Sequence, residues 1–166
     1  MDLVRAFKKA NGGRHLVFMG YGDMENELKE LARNHDHIHF KEAVVPDEII
    51  NTTSSADVGL FFNSDRMSLS YRMALPNKFY EYAIAGLFLV VSSNFIEQAR
   101  IINEENLGVV IAPDINALVT FINNIDHDWI YKKRKESYGF RSHVSWEDNE
   151  KTLKAIYSGD IKLDFN

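Results

Sequence analysis

The chain has 166 residues, 45% of them apolar, which is enough to fill the core of one domain and argues against disorder. Its 19 basic and 24 acidic residues leave a formal net charge of −5, the wrong sign for a module that grips a phosphate backbone, so no nucleic-acid partner is expected. Cysteine is absent, which excludes disulfides, thiol nucleophiles and cysteine-held metals and points to a cytoplasmic setting.

The chain opens with an amphipathic pattern. Leu3, Phe7 and Ala10 recur at helical spacing from Asp2 to Ala10, and Asn11-Gly12-Gly13 supplies a stop. This stretch lacks the continuous apolar run of a signal peptide, and no window approaches the roughly 18 apolar residues of a membrane span. A strand follows over His15 to Met19, turned by Gly20-Tyr21-Gly22, and Asp23 is placed to cap a helix bearing Leu28 and Leu31. The alternation continues with strand His37 to Phe40, helix Pro46 to Ser54 and strand Val58 to Phe62. A polar stretch over Asn63 to Leu75 leads to helix Asn77 to Ala85, which Gly86 stops, and to strand Phe88 to Ser92. Helix Ile96 to Glu105, strand Gly108 to Ile111 and helix Ile115 to Ile125 complete the series. Trp129 to Tyr157 carries no strand signal and predicts two helices anchored by Trp129, Tyr138, Phe140, Trp146 and Ile156.

Unbroken apolar strands alternating with helices predict an α/β fold, a doubly wound and mainly parallel sheet with helices on both faces. The whole chain reads as one domain, with an α/β core over about residues 2–125 and a helical tail over about 126–158. A helix that comes first in such an array ordinarily returns from an earlier strand, so a strand, and with it a domain, is expected upstream.

Ligands of open α/β sheets bind at the carboxyl ends of the strands. The loops to consider are therefore Gly20 to Asp23, Lys41 to Pro46, Asn63 to Asn77 and Ser92 to Glu97. Gly20 and Gly22 begin a dinucleotide-type fingerprint, but its third glycine falls on Glu25; they either make a tight turn or line a cleft. The loop NSDRMSLSYRMALPNK gathers Ser64, Ser68, Ser70, Tyr71, Arg66, Arg72 and Lys78 ahead of a helix N-terminus, a combination suited to an anionic diphosphate; the alternative is a solvated loop. Glu81 either accepts two ribose hydroxyls or is an exposed helical glutamate or a partner for Lys78 three residues earlier. His35, His37 and His39 alternate, but nothing nearby completes a metal site, so surface histidines and no metal are expected. The chain has no Gly-x-Ser-x-Gly elbow, no Gly-Lys-Ser/Thr phosphate loop and no His-Glu-x-x-His.

Taken together, VFMGYGDMENELKELA, HIHFKEAVVPDEIINTTSSADVGLFF, LPNKFYEYAIAGLFLVVSS and NLGVVIAPD resemble, in order and spacing, the C-terminal domain of family-four-type retaining glycosyltransferases of the GT-B fold. The likeness covers about Asp2 to Ile125. Its most specific element, LPNKFYEYAIAGL, is similar to a signature of members common in surface-polysaccharide synthesis.

The resemblance implies roles residue by residue. Glu81 matches the second glutamate of a pair separated by seven residues and would bind the nucleotide ribose. The first glutamate falls on Met73, so donor-sugar contacts would come from backbone amides around Ser70 to Leu75 or from another side chain. Val44 matches the loop whose backbone reads the base, and Gly20 and Gly22 match glycines at the rim of the interdomain cleft. Leu75, Pro76 and Asn77 belong to the signature itself. The family's upstream arginine and lysine, and its N-terminal acceptor domain, do not occur in this chain, which the resemblance explains as a truncation. The segment SWEDNEKTLKAIY is similar to the terminal helix that crosses back over the other domain.

The implied reaction transfers a hexosyl unit from a UDP- or GDP-sugar to a glycan or lipid-linked acceptor with retention, without metal or other cofactor. Lys78 and the backbone amides across Pro76 to Lys78 would stabilise the departing diphosphate. The fragment alone is expected to be inactive, and any membrane contact is expected only through the absent part. Two other readings remain open: half of a nucleotide-sugar epimerase of the same fold, and a non-catalytic α/β regulatory or interaction module.

Overall fold

A computed structural model describes residues 1–11, 13–136, 139–140 and 146–159. Helix α1 (Asp2–Lys9) leads to β1 (Leu16–Met19), α2 (Glu25–Leu31) and β2 (Ile38–Lys41). A 3-10 turn at Pro46–Glu48 precedes α3 (Ile49–Thr53) and β3 (Val58–Phe61). Then come α4 (Leu69–Met73), α5 (Asn77–Ile84), β4 (Phe88–Ser92), α6 (Ile96–Glu105) and β5 (Gly108–Ile111), followed by α7 (Ile115–Asn124), α8 (His127–Glu136) and α9 (Trp146–Ser158).

The fold is α/β, with all-parallel strands between helices. The strands fall into two small sheets, β1-β2 and β3-β4-β5, where the sequence predicts a single one. Leu16 stands opposite Ile38 in the first sheet; Val58 stands opposite Phe88, and Leu89 opposite Gly108, in the second.

Strand β4 is buried along its whole length, as an unbroken apolar run requires, and alternate residues serve opposite faces. Leu89 and Val91 join Phe61, Phe79, Ala83 and Ile102 on the α5–α6 side. Phe88 and Val90 join Ile130 of α8 on the other. A further core layer gathers Val4, Ala6 and Phe7 of α1, Leu16, Ile38, and Leu118 and Ile122 of α7, with Phe18, Leu60 and Phe62 against it. Both sheets thus contribute to one interior. At Gly108 the two strands approach so closely that a Cβ would overlap the Leu89 carbonyl, which is why β5 begins on glycine.

Three local expectations are corrected. Asp23 does not cap α2: Met24 holds the cap position and no side chain caps the helix. The helix beginning at Pro46 is a 3-10 turn followed by a short α-helix. The polar stretch after β3 contains α4, whose cap Ser68 accepts from the Tyr71 amide through its hydroxyl at 3.3 Å. Strand β4, helix α6 and strand β5 occupy the residues expected of them.

Among the described residues the tail forms two helices, α8 and α9. The first docks firmly: Ile130 is buried, Trp129 stacks edge-on to Phe88 at 5.0 Å, and the Arg134 guanidinium donates to the Gly86 carbonyl at 2.6 Å and to the Asp57 carboxylate at 3.0 Å. Phe140 packs against the α5–α6 core, and Ile156 lies on α9. Tyr138 and the Trp146 side chain lie outside the described residues.

Candidate functional site

The donor-site residues singled out from the sequence fall into two groups, on the segments that follow the carboxyl ends of β1 and β2 and of β3. The first surrounds the ends of β1 and β2. Gly20 leaves β1 with φ of +133°, a conformation open to glycine, and its amide donates to the Lys41 carbonyl at 3.1 Å. The Gly22 carbonyl accepts from the Glu25 amide at 3.0 Å, turning the chain into α2. No atom crowds either α-carbon; both glycines border an open cavity of about 180 Å³ with Phe18, Tyr21, Phe40 and Lys41. The glycines thus make the tight turn, and that turn borders the cavity. Val44 is half-buried in the following loop.

The second group follows β3. Asn63, Ser92 and Asn94 form a knot: the Ser92 hydroxyl donates to the Asn94 side-chain oxygen at 2.7 Å and accepts from the Asn63 amide at 3.2 Å, while the Asn94 amide group donates to the Asn63 carbonyl at 2.8 Å. This fixes where the long loop departs from the sheet. One residue on, Ser64 donates to the Asp2 carboxylate through both its hydroxyl, at 2.7 Å, and its amide, at 2.9 Å. Further along, Gln98 of α6, almost wholly buried, donates to the Ala74 carbonyl at 3.3 Å and holds the loop over α6. The sequence reading missed these supports, since each joins residues distant in the chain.

Within the held loop, Ser70 and Met73 lie exposed on α4, and Leu75 packs on the core. Pro76 occupies the cap position of α5 and brings no side-chain cap. A proline has no N–H, so the donors at this helix start are the amides of Asn77 and Lys78, for which no acceptor is found among the described residues.

The side chains that follow are set by packing. Phe79 and Ala83 turn the buried face of α5 into the core, and Phe61 meets Phe79 at 5.9 Å and Tyr82 at 5.3 Å. Lys78 is exposed as a residue, yet its ammonium lies over the Phe61 ring, 5.0 Å from the centroid. That partial burial pushes its pKa below the usual lysine value. Burial, with the neighbouring Glu81 charge second, raises the Tyr82 hydroxyl. Glu81 is half-buried and its carboxylate has no hydrogen-bond or ion-pair partner among the described residues; the Lys78–Glu81 pair is not formed. The site thus holds a cation, two unengaged amides and an unengaged carboxylate on one turn and a half of helix. No hydrogen bond joins it to the Gly20–Val44 group among the described residues.

The histidines engage one another. His15 and His39 stack with a 2.8 Å nitrogen–nitrogen contact, His37 meets His35 edge-on, and no three metal-ligating side chains converge among the described residues. No helix among the described residues is long and apolar enough to cross a membrane.

Among curated proteins, none matches this chain. Residues 1–128, from α1 into α8, match the family of glycosyl transferases group 1. That span contains both strand-end groups and the whole parallel framework that presents them, and the chain belongs to the group 1 glycosyl transferases.

Proposed function

We propose that this chain is the nucleotide-sugar-binding half of a retaining, family-four-type hexosyltransferase of the kind used in surface-polysaccharide synthesis. The observation that carries the reading is the start of α5, where the Lys78 ammonium rests on Phe61 without an acidic partner beside the unengaged amides of Asn77 and Lys78. A donor diphosphate supplies the missing negative charge and acceptors. Glu81, one turn further on, takes the ribose hydroxyls, and the Gly20, Gly22 and Val44 loops take the base side of a UDP- or GDP-sugar.

In the transfer, charge builds on the diphosphate as the glycosidic bond breaks. Donors already fixed at that point stabilise it without reorganising. The Asn63–Ser92–Asn94 knot and the Gln98–Ala74 bond keep the loop in place. Ser70, Met73, Leu75 and Pro76 shape the sugar side, with backbone contacts replacing the side chain that Met73 lacks. No metal is required. The acceptor, a glycan or lipid-linked hydroxyl, would sit on a second domain supplied by a longer cytoplasmic enzyme, any membrane contact lying there too, so this half alone binds donor without transferring sugar.

The test is an NMR titration with UDP, GDP, ADP and UMP on the wild-type chain and on Glu81→Ala. Shifts for one diphosphate at Val44, Ser70 to Lys78 and Glu81, weakened by the substitution, support the reading. Shifts with no nucleotide, alongside capture of a protein partner, would favour a non-catalytic interaction module.

A further inference from the structure

We propose, resting on the donor-site reading above, that Gln98 of α6 is a positioning residue: its hold on the Ala74 carbonyl aims the Asn77 and Lys78 amides at the donor, and the chain gives up stability to keep it.

Position 98 belongs to the core face of its helix. Gln98 and Ile102 are the two buried residues of α6, one turn apart, and Gln98 is 1% exposed. Such a place calls for an apolar side chain. Glutamine brings two polar ends to it and finds a partner for one. Its Nε2 donates to the Ala74 carbonyl at 3.3 Å, while its Oε1 is buried with no hydrogen-bond partner, which singles it out among the buried side-chain polar atoms of the described residues. Exchanging the two ends does not help, because Oε1 would then face the Ala74 carbonyl, oxygen to oxygen. Ser92 is equally buried, yet its hydroxyl both donates and accepts.

The bond adds little to stability. It is long, and Ala74 is exposed, so water can serve that carbonyl in place of Gln98. The unpaired Oε1, by contrast, carries the full penalty of leaving water. A buried polar group with more penalty than gain marks a place where function outweighs stability.

What the bond fixes is direction. Only Leu75 and Pro76 separate Ala74 from Asn77, and neither turns freely. The ring of Pro76 holds φ at −71°. Leu75, as the residue before a proline, is held to extended conformations, and its side chain packs on the core. Ala74 itself leaves α4 extended, with ψ of 141°. Holding the Ala74 carbonyl therefore sets the line on which the chain enters α5, and with it the direction of the Asn77 and Lys78 amides. Helix α4 buries no side chain and cannot supply this anchor. Donors stabilise a diphosphate best when they are oriented before it arrives.

Gln98→Met keeps the length of the side chain and removes both polar ends. Gln98→Leu is a second apolar variant of different shape, and Ile102→Val, in the same buried row, is the control. The melting temperature, the NMR order parameters of the Asn77 and Lys78 amides, and the affinity for the nucleoside diphosphate selected by the wild type are measured on the whole chain. Gln98→Met is expected to melt at or above the wild-type temperature. The order parameters of the two amides should fall from about 0.85 to about 0.6 or lower, and diphosphate affinity should fall roughly tenfold. Ile102→Val should melt lower and leave amide order and affinity unchanged. A merely structural contact cannot move stability and order in opposite directions. A lower melting temperature in both Gln98 variants, unchanged order at the two amides, or unchanged affinity despite lost order would each overturn the proposal. A wild-type chain that binds no diphosphate would remove the donor reading, and melting temperature with amide order would still decide what Gln98 does.

Discussion

Lys78 sets its ammonium 5.0 Å from the centre of the Phe61 ring, the side chain that ends β3 in the core and is only 3% exposed. The charge is thereby held at the carboxyl edge of the sheet by packing, where a freely moving lysine would lose rotamer entropy on binding an anion. Lys78→Met keeps the contact with Phe61 and removes the charge. It should weaken diphosphate binding by roughly ten- to a hundredfold, as expected for a lost charged hydrogen bond of about 1.5–3 kcal/mol, with the melting temperature little changed. Isothermal titration with the nucleoside diphosphate selected by the wild type checks this.

The same contact gives the binding a pH dependence. Burial lowers the Lys78 pKa, so the ammonium is lost, as pH rises, earlier than an ordinary lysine would lose it. Diphosphate affinity should therefore fall, as pH rises, at a lower pH than an unburied lysine would give. Lys78→Arg should extend the plateau, because a guanidinium stays charged; a profile identical for both would remove Lys78 from the site.

Glu81 has no partner among the described residues, so its proposed role is tested by removing the partner from the ligand. The wild-type chain should prefer the ribonucleoside diphosphate to its 2′-deoxy form by roughly tenfold, about the worth of one hydrogen bond to a charged group. Glu81→Ala should bind the two forms alike. Equal affinity in the wild type would argue for an exposed helical glutamate with no ribose contact.

Asp2 and Ser64 join the first helix to the loop after β3. Burial of the Asp2 carboxyl on its own raises its pKa, but the hydroxyl and amide bonds from Ser64, together with the positive charges of the N-terminus and Arg5, more than offset this, and the value is lowered overall. The sign follows: the ionised form is favoured in the folded chain, so its contribution is fully present above the unfolded aspartate value of about 3.9 and is lost as pH falls through the lower folded value. Asp2→Asn should cost about 1–2 kcal/mol at neutral pH, and the gap from wild type should close below about pH 4. Urea unfolding at several pH values measures both.

Gly108 and Gly22 should respond oppositely to alanine. A Cβ at Gly108 would overlap the Leu89 backbone across the strand pair, so Gly108→Ala should cost at least about 3 kcal/mol or prevent folding. A Cβ at Gly22 meets nothing, and Gly22→Ala should stay within about 0.5 kcal/mol of the wild type. Thermal unfolding of the two variants distinguishes them.

Much of this framework is legible in the residues themselves. Phe88 to Ser92 reads as a buried strand because each residue is apolar or small, and α6 and β5 are bounded by Asn106, which ends the helix in the left-handed conformation, and by Gly108. The resemblance carried by LPNKFYEYAIAGL also brings Lys78 and Glu81 forward before any coordinates. Helix α4 was not legible, because its five residues bury no side chain and it depends on the Ser68 cap.

Local pattern therefore determined the succession of strands and helices, the parallel α/β class and the residues at the strand ends, since periodicity and turn chemistry act between near neighbours. Tertiary structure alone decided that Lys78 lies on Phe61 and not beside Glu81, that Asp2 meets Ser64, and that the strands separate into β1-β2 and β3-β4-β5. Such pairings join residues far apart in the chain. They depend on which apolar surfaces share a core and which strand edges find partners, and no local window contains that information.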